Sequence, residues 1–284
     1  MGALDELTGR RFGPFTLEVS AERVHAFVTA IGDDPKRWSD FAPPVFANAA
    51  LFTAAPVFLD DAVVVPFTRS LIHSEQRYTW TRPLAVGEML EVSGTVTSVR
   101  VRGPLHFVEF AIDTQSKSGP WMTGSSVFLM STEAAAASAE EAEPPVALRP
   151  AFGTTAPSAL PKAGEALPSY PCGASRADLV RYAAATRDWN PIHWDHDSAR
   201  NAGLSGTIVH GLLMASWMAN AVGRHVPGVD PLRELRVRFR NPLRPGVAAE
   251  VTGSVVDGDD DTAIDVALAA GDERLVTGRI RVTP

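Results

Sequence analysis

The sequence has a single cysteine, Cys172, so no disulfide framework can form within the chain, and a reducing compartment such as the cytoplasm is expected. Cys172 lies between Pro171 and Gly173 with no acid or base beside it in sequence, which points to a passive thiol. Basic excess is also missing. The net charge is -7, whereas a general nucleic-acid binder draws its affinity from excess positive charge. No apolar run approaches the roughly 18 residues of a membrane span, and Met1 to Phe15 lacks a signal-peptide pattern. The expectation is a soluble cytoplasmic protein with neither nucleic acid nor membrane as partner.

What is present suits packed cores. Hydrophobic residues make up 45% of 284, enough for one large or two ordinary domains. Phe12 to Val19 is a short apolar stretch, and Ser20 stands as N-cap to a helix in which Val24, Phe27, Val28 and Ile31 share a face. Val45 to Ala55 is an alanine-rich helix that Pro56 should break. Ser74 to Met130 alternates in strand fashion, with turns at Arg82-Pro83, Arg102-Gly103-Pro104 and Ser118-Gly119-Pro120. Residues 132–163 change to alanine, glutamate, proline and serine and read as a linker.

After the linker the plan repeats. Ser175 with Asp178 forms a capping box, and Leu179, Tyr182, Ala183 and Thr186 line one helix face. Gly211 to Gly223 is apolar on nearly every side, so it should be a buried helix, and strand-like stretches run from Leu232 to Val282. Sliding Glu75–Val96 by 159 positions onto Glu234–Val255 gives nine identities in 22 positions, among them Arg77/Arg236 and Pro83/Pro242. So long a period indicates duplicated domains rather than a solenoid. The expected boundaries are 1–131, a 132–163 linker and 164–284.

The second half carries a dense polar motif, Asp188-Trp189-Asn190-Pro191-Ile192-His193, followed about twenty residues later by His210-Gly211 at the start of the apolar helix. Adding water to a double bond conjugated to a thioester, or removing it, requires a group to deprotonate the water and a proton donor for the adjacent carbon. It also requires donors for the enolate-like oxygen. Asp188 and His193 can fill the first two roles, and the sequence does not divide those roles between them. The Asn190 amide and the Gly211 N–H can serve the oxygen, because a helix N-terminus presents unpaired N–H groups. The plain alternative is that Asp-x-Asn-Pro is turn chemistry and Asp188 only closes a helix end.

The motif, together with Ala199, Gly203 and Val209-His210-Gly211-Leu212, resembles the (R)-specific enoyl-CoA hydratases, the MaoC-like or hydratase 2 group of hot-dog folds. The resemblance implies an α+β chain of two tandem hot-dog domains, each an antiparallel sheet wrapped around a long central helix. It implies (R)-specific hydration of trans-2-enoyl-CoA, or dehydration of (R)-3-hydroxyacyl thioesters, in fatty-acyl metabolism. Asp188 and His193 would hold the catalytic water, and Asn190 and Gly211 would bind the thioester carbonyl. The substrate would be an acyl-CoA or acyl-carrier-protein thioester, with no cofactor and no metal, and two chains could pair as a homodimer. A hot-dog thioesterase and a non-catalytic acyl-thioester-binding subunit are the alternatives. Arg187 departs from the pattern, which has glycine before the aspartate.

The first half has no such motif: Ile31-Gly32-Asp33-Asp34-Pro35 is followed by no histidine within thirty residues, and Phe46-Ala47 stands where His210-Gly211 stands. One active site per chain follows, with a groove for a bulky acyl tail where Pro56 interrupts the first half's helix. Other clusters have simpler readings. His193, Asp195, His196 and Asp197 could ligate zinc, yet Asp195 and Asp197 are natural caps for a helix near Ser198. His210 is a candidate substrate-binding residue that could equally cap or pack beside the oxygen site. Arg236, Arg238 and Arg240 share a strand face that is either solvated or a seat for carrier phosphates. Trp194 and Trp217 read as core.

Overall fold

The computed structural model describes residues 2–133, 136, 159–256 and 262–282. Most of the expected linker lies outside the described residues. The first half runs β1 (Arg11–Glu18), α1 (Ala21–Ile31), β2 (Phe41–Ala42), α2 (Ala47–Leu59), β3 (Ser70–Trp80), β4 (Leu84–Ala85), β5 (Met89–Arg102), β6 (Leu105–Ser116) and β7 (Gly119–Ser131). The second runs β8 (Tyr170–Cys172), α3 (Arg176–Thr186), α4 (His196–Asn201), α5 (Gly211–Gly223), β9 (Leu232–Phe239), β10 (Ala249–Val256), β11 (Thr262–Ala270) and β12 (Glu273–Val282).

Local chemistry sets the helix ends. Ser20 accepts from the Arg23 N–H, and Ser175 with Asp178 forms the expected capping box, so both entering turns have their N–H groups satisfied by side chains. Val24, Phe27, Val28 and Ile31 are all buried, as their spacing predicts.

Among the described residues, ten strands form one antiparallel sheet in the order β1-β5-β6-β7-β3-β9-β12-β11-β10-β8. α2 packs on β1, β5, β6 and β7, and α5 packs on β9 to β12, so each half is a five-stranded sheet around one long helix. These are two tandem hot-dog units. They join through β3 and β9, where Arg77 and Arg236 are direct Cα partners. Those are the residues that the 159-position repeat equates, so the pseudo-twofold axis of the duplication passes between them, as in an isologous dimer.

The expectation that Pro56 breaks the first helix is corrected. α2 runs unbroken through it to Leu59, and the Asp60 N–H still bonds to the Pro56 carbonyl at 2.8 Å. An interior proline costs about 3 kcal/mol. Here Leu51, Phe52 and Phe58 are buried on the same helix, and burial of such side chains stabilises by roughly 1.5–3 kcal/mol each. Packing outweighs the break, and the acyl-tail groove inferred from it has no basis.

Candidate active site

α3 ends at Thr186, and the chain turns through Arg187 in the left-handed region, φ 69°, the one non-glycine residue with positive φ among the described residues. This is where the resemblance expects glycine, so the side chain departs from the pattern while the backbone keeps it. The turn aims Asp188 inward, where it is 7% exposed. The Asp188 N–H donates to Thr186 Oγ1 at 3.2 Å, and its carboxylate accepts from the Asn190 N–H at 3.5 Å. Asn190 caps the short turn Pro191–His193, its Oδ1 accepting from the Ile192 N–H at 3.3 Å. That leaves its amide N–H groups without a partner among the described residues.

His193 is also 7% exposed, and its Nδ1 lies 2.9 Å from the Ile208 carbonyl. A carbonyl can only accept, so Nδ1 carries the proton and Nε2 presents a lone pair to the site. His210 immediately precedes α5 and is fully buried. Its Nε2 donates to the Asp188 carbonyl at 3.3 Å, and its Nδ1 has no partner among the described residues. The two imidazoles stack, centroids 3.7 Å apart and planes 23° apart. α5 begins at Gly211 with no side-chain cap. Among the described residues the N–H groups of Gly211 and Leu212 have no partner, which leaves free donors and the positive dipole end at the residue that follows His210. Glycine has a second reason to be there: a Cβ at 211 would stand 3.1 Å from the Phe239 ring.

Electrostatics follow burial. Desolvation pushes the Asp188 carboxyl up to about 7, only partly opposed by the Asn190 N–H. Desolvation also lowers His193 to about 4, against the bond to Ile208. Burial, with His193 adjacent, holds His210 well below the usual imidazole range. Near neutral pH the site therefore contains neutral imidazoles and a carboxyl close to half-protonated.

The structure brings together Asp188, His193, Asn190, His210 and Gly211. It does not bring Arg236 and Arg238 to them: both lie on the exposed side of β9, whose other side packs on α5. Arg238 pairs with Glu75 at 2.5 Å, while Arg236 sits in register with Arg77 and Arg279. Trp217 is buried as expected, but Trp194 is 51% exposed rather than core. The turn that points His193 inward points its neighbour out, and the Trp194 Nε1–H is satisfied by the Trp189 carbonyl at 3.2 Å.

Asp195 does cap a helix, accepting from the Ser198 N–H, so the His193-Asp195-His196-Asp197 cluster is not a ligand set. The group close enough to share an ion among the described residues is Asp188, His193 and His210, with one donor atom from each inside a 4.8 Å circle. An imidazole coordinates in its ring plane, and one ion cannot lie in both planes of a 3.7 Å stack. The trio is therefore a poor metal seat. Cys172 is buried and its thiol pushed well up by desolvation, consistent with an inert role.

One feature escaped the sequence pattern. Asn48, in the first half's α2, donates to Tyr182 Oη at 3.1 Å, Ser216 Oγ at 3.1 Å and the Leu212 carbonyl at 3.3 Å. Tyr182 in turn lies 4.8 Å from the His210 ring. The signal was a lone amide in an otherwise alanine, leucine and phenylalanine helix.

The first half's counterpart site is closed. Gly32, φ 73°, takes Arg187's place after α1. Asp33 then accepts from Trp38 Nε1 at 2.7 Å, and the Arg37 guanidinium spans to the carbonyls of Gly223 and Val226 at the far end of α5.

Residues 157–273 match the family described as MaoC like domain, and residues 6–120 match a FAS1-like dehydratase domain region. A mitochondrial 3-hydroxyacyl-[acyl-carrier-protein] dehydratase of Arabidopsis thaliana is 35% identical over 95 residues, covering 34% of this chain and 56% of its own length. The chain thus spans little more than half of that relative. A UPF0336 protein of Streptomyces avermitilis is 30% identical over 128 residues, covering 37% of this chain and 85% of its own. A solved structure named MaoC-like dehydratase superposes with TM-score 0.81 at 21% identity, covering 98% of this chain and 99% of that one. Among the described residues no helix is long and apolar enough to cross a membrane.

Proposed function

We propose that this chain, which belongs to the MaoC-like dehydratase family, hydrates trans-2-enoyl thioesters to (R)-3-hydroxyacyl thioesters and catalyses the reverse dehydration. One observation carries the reading: a buried carboxyl, Asp188, and a buried imidazole, His193, lie with donor atoms within 4.8 Å of each other and of His210, the residue after which α5 opens with unpaired N–H groups. The catalytic unit is taken as 164–284, with 1–131 as a degenerate partner unit.

In hydration His193 Nε2 takes a proton from water as the water oxygen bonds to C3. The protonated Asp188 carboxyl delivers its proton to C2 from the same side, giving syn addition. Charge that builds on the thioester oxygen is met by the Gly211 N–H and the Asn190 amide; a donor of this kind is worth about 3 kcal/mol. The proton then returns from His193 to Asp188 through solvent. Dehydration runs the same steps backward, with the Asp188 carboxylate taking the C2 proton and the His193 imidazolium protonating the leaving hydroxyl. The raised carboxyl and lowered imidazole make the hydration form the resting form.

The test is ultraviolet absorbance of a short and a long trans-2-enoyl-CoA on mixing with wild type, Asp188→Asn and His193→Gln, with chiral analysis of the product. Loss of absorbance with an (R)-3-hydroxyacyl product, and both variants at least a hundredfold slower, is the expected result. Unchanged rates in Asp188→Asn would refute the assignment.

A further inference from the structure

The first half keeps the outline of the proposed catalytic loop with other residues in it. Asp34 and Asn190 each cap a proline turn, Asp34 Oδ1 accepting from the Lys36 N–H at 3.0 Å and Asn190 Oδ1 from the Ile192 N–H at 3.3 Å. Aligned on that turn, Pro35 meets Pro191, Trp38 meets Trp194, and Arg37 stands where His193 stands. The space left around it is about 10 Å³, lined by Asp33, Arg37, Trp38, Asn220 and Gly223 among others, which is room for a single water at most. No thioester can enter, so this copy of the loop does no chemistry on one.

What Arg37 reaches is the end of α5. Its Nη2 donates to the Gly223 carbonyl at 2.8 Å and to the Val226 carbonyl at 3.3 Å, 186 and 189 positions away in the chain. The last carbonyls of a helix lack partners within it and carry the negative end of its dipole, so a guanidinium there is matched in both charge and hydrogen bonding. The side chain is itself held in place. It lies 4.8 Å over the Trp38 ring, whose Nε1–H donates to Asp33 at 2.7 Å. Burial pulls the Arg37 pKa below the usual guanidinium range, and the Asp33 charge opposes that shift. A second tie runs alongside: the Asn220 amide donates at 3.5 Å to the carbonyl of Ile31, the residue from which the loop departs.

The other end of α5 shows why such an anchor matters. α5 has no side-chain cap, and the Gly211 N–H proposed to meet the thioester oxygen is free because nothing caps it. A helix whose functional end stays uncapped has to be fixed elsewhere. Its flanks are buried and largely apolar, and apolar packing is not directional, so hydrogen bonds decide where the helix stands along its own axis. Asn48 supplies one near the start, to the Leu212 carbonyl, and Arg37 supplies the charged one at the finish. One attachment leaves a pivot, whereas two define the axis. We infer that Arg37, from the half without the catalytic pair, is a positioning residue for the Gly211 donor. It grips α5 by its C-terminal end and so holds the N-terminal end, 13 residues or about 20 Å away, in register with Asp188 and His193. The inference rests on the hydratase reading for what the donor does, but not for the coupling along the helix.

The experiment compares wild type with Arg37→Met, which keeps the stem and removes the fork, by hydrogen–deuterium exchange and by steady-state hydration of a trans-2-enoyl-CoA. Exchange at Leu213 and Met214, whose amides bond to the His210 carbonyl, should rise roughly tenfold while β5 and β6 stay unchanged. The kcat should fall by about tenfold with KM little changed, a part of the roughly hundredfold that a misplacement of about 1 Å costs. Arg37→Lys, which keeps the charge on a single head, should recover part of both effects. Arg37→Gln is read in the same way should the methionine variant not fold. Faster exchange at the start of α5 in a protein that hydrates no thioester would keep the anchor and remove the hydratase reading. An unaltered kcat in a folded variant, with faster exchange confined to the C-terminal turn of α5, would overturn the inference and leave Arg37 a local cap.

Discussion

His193 and His210 lie with their rings stacked at 3.7 Å, and the second imidazole also donates to the backbone carbonyl of Asp188. One buried side chain thus braces both members of the proposed catalytic pair without competing for either reactive atom. His210→Ala should leave a void behind the His193 ring and let it tilt. Misplacement of reacting groups by about 1 Å costs on the order of a hundredfold, so kcat should drop by roughly that factor with KM little changed. His210→Phe keeps a ring to stack on and should recover part of the loss, whereas equal losses in both variants would mean that the Nε2 bond, not the stack, does the bracing.

The pH profile tests how the two roles are divided. With Asp188 near 7 and His193 near 4, hydration needs the carboxyl protonated and the imidazole neutral. The rate should therefore decline as pH rises through about 7 and decline again below about 4, and the dehydration rate should show the same limits. Stopped assays with an enoyl thioester between pH 3 and 9 read this directly. A hydration rate that climbs through pH 7 would make the Asp188 carboxylate the base.

The same burial costs stability. A carboxyl that titrates near 4 when unfolded and near 7 when folded keeps its proton longer in the native state, so stability falls as pH rises through that window and the penalty is complete above about 7. Three units correspond to about 4 kcal/mol as an upper figure. Asp188→Asn removes the penalty. It should raise the melting temperature more at pH 8 than at pH 5, in the manner of active-site residues whose function opposes stability. An equal shift at both values would show that the carboxyl is not desolvated.

Much of this was legible in the sequence because the signals were local or periodic. The caps at Ser20 and Ser175, the buried face of α1 and the apolar wall of α5 each follow from residues within one or two turns. The duplication was visible as identities, and the structure shows its axis at Arg77 and Arg236. The failures were non-local. Pro56 obeys its intrinsic cost only in a helix without a sheet around it, and Trp194 faces out because His193 must face in. Asn48 and Tyr182 are 134 positions apart in the chain, and no short motif could join them.

Arg187 provides a test at the helix end. At φ 69° a residue with a Cβ is strained by about 1 kcal/mol or more, and glycine is not. Arg187→Gly should stabilise the protein by about 1 kcal/mol, and Arg187→Val should destabilise it, because a β-branched side chain tolerates this region worst. Differential scanning calorimetry distinguishes the two signs. A loss of stability in the glycine variant would show that the arginine side chain contributes more than the strain it imposes.

Asn48 ties the first half to the half proposed to be catalytic. Its amide nitrogen faces three acceptors, Tyr182, Ser216 and the Leu212 carbonyl, at a site almost wholly removed from water. Removing the amide leaves buried polar groups short of partners, a penalty of about 1–3 kcal/mol. Asn48→Leu should therefore lower stability by that order. Because Tyr182 packs on His210, it should also slow turnover several-fold by loosening the brace behind His193. The double variant Asn48→Leu/His210→Ala separates the two effects: if Asn48 acts on catalysis through His210, the kcat losses will not multiply. Full multiplication would assign Asn48 a purely structural part, holding α2 against α5.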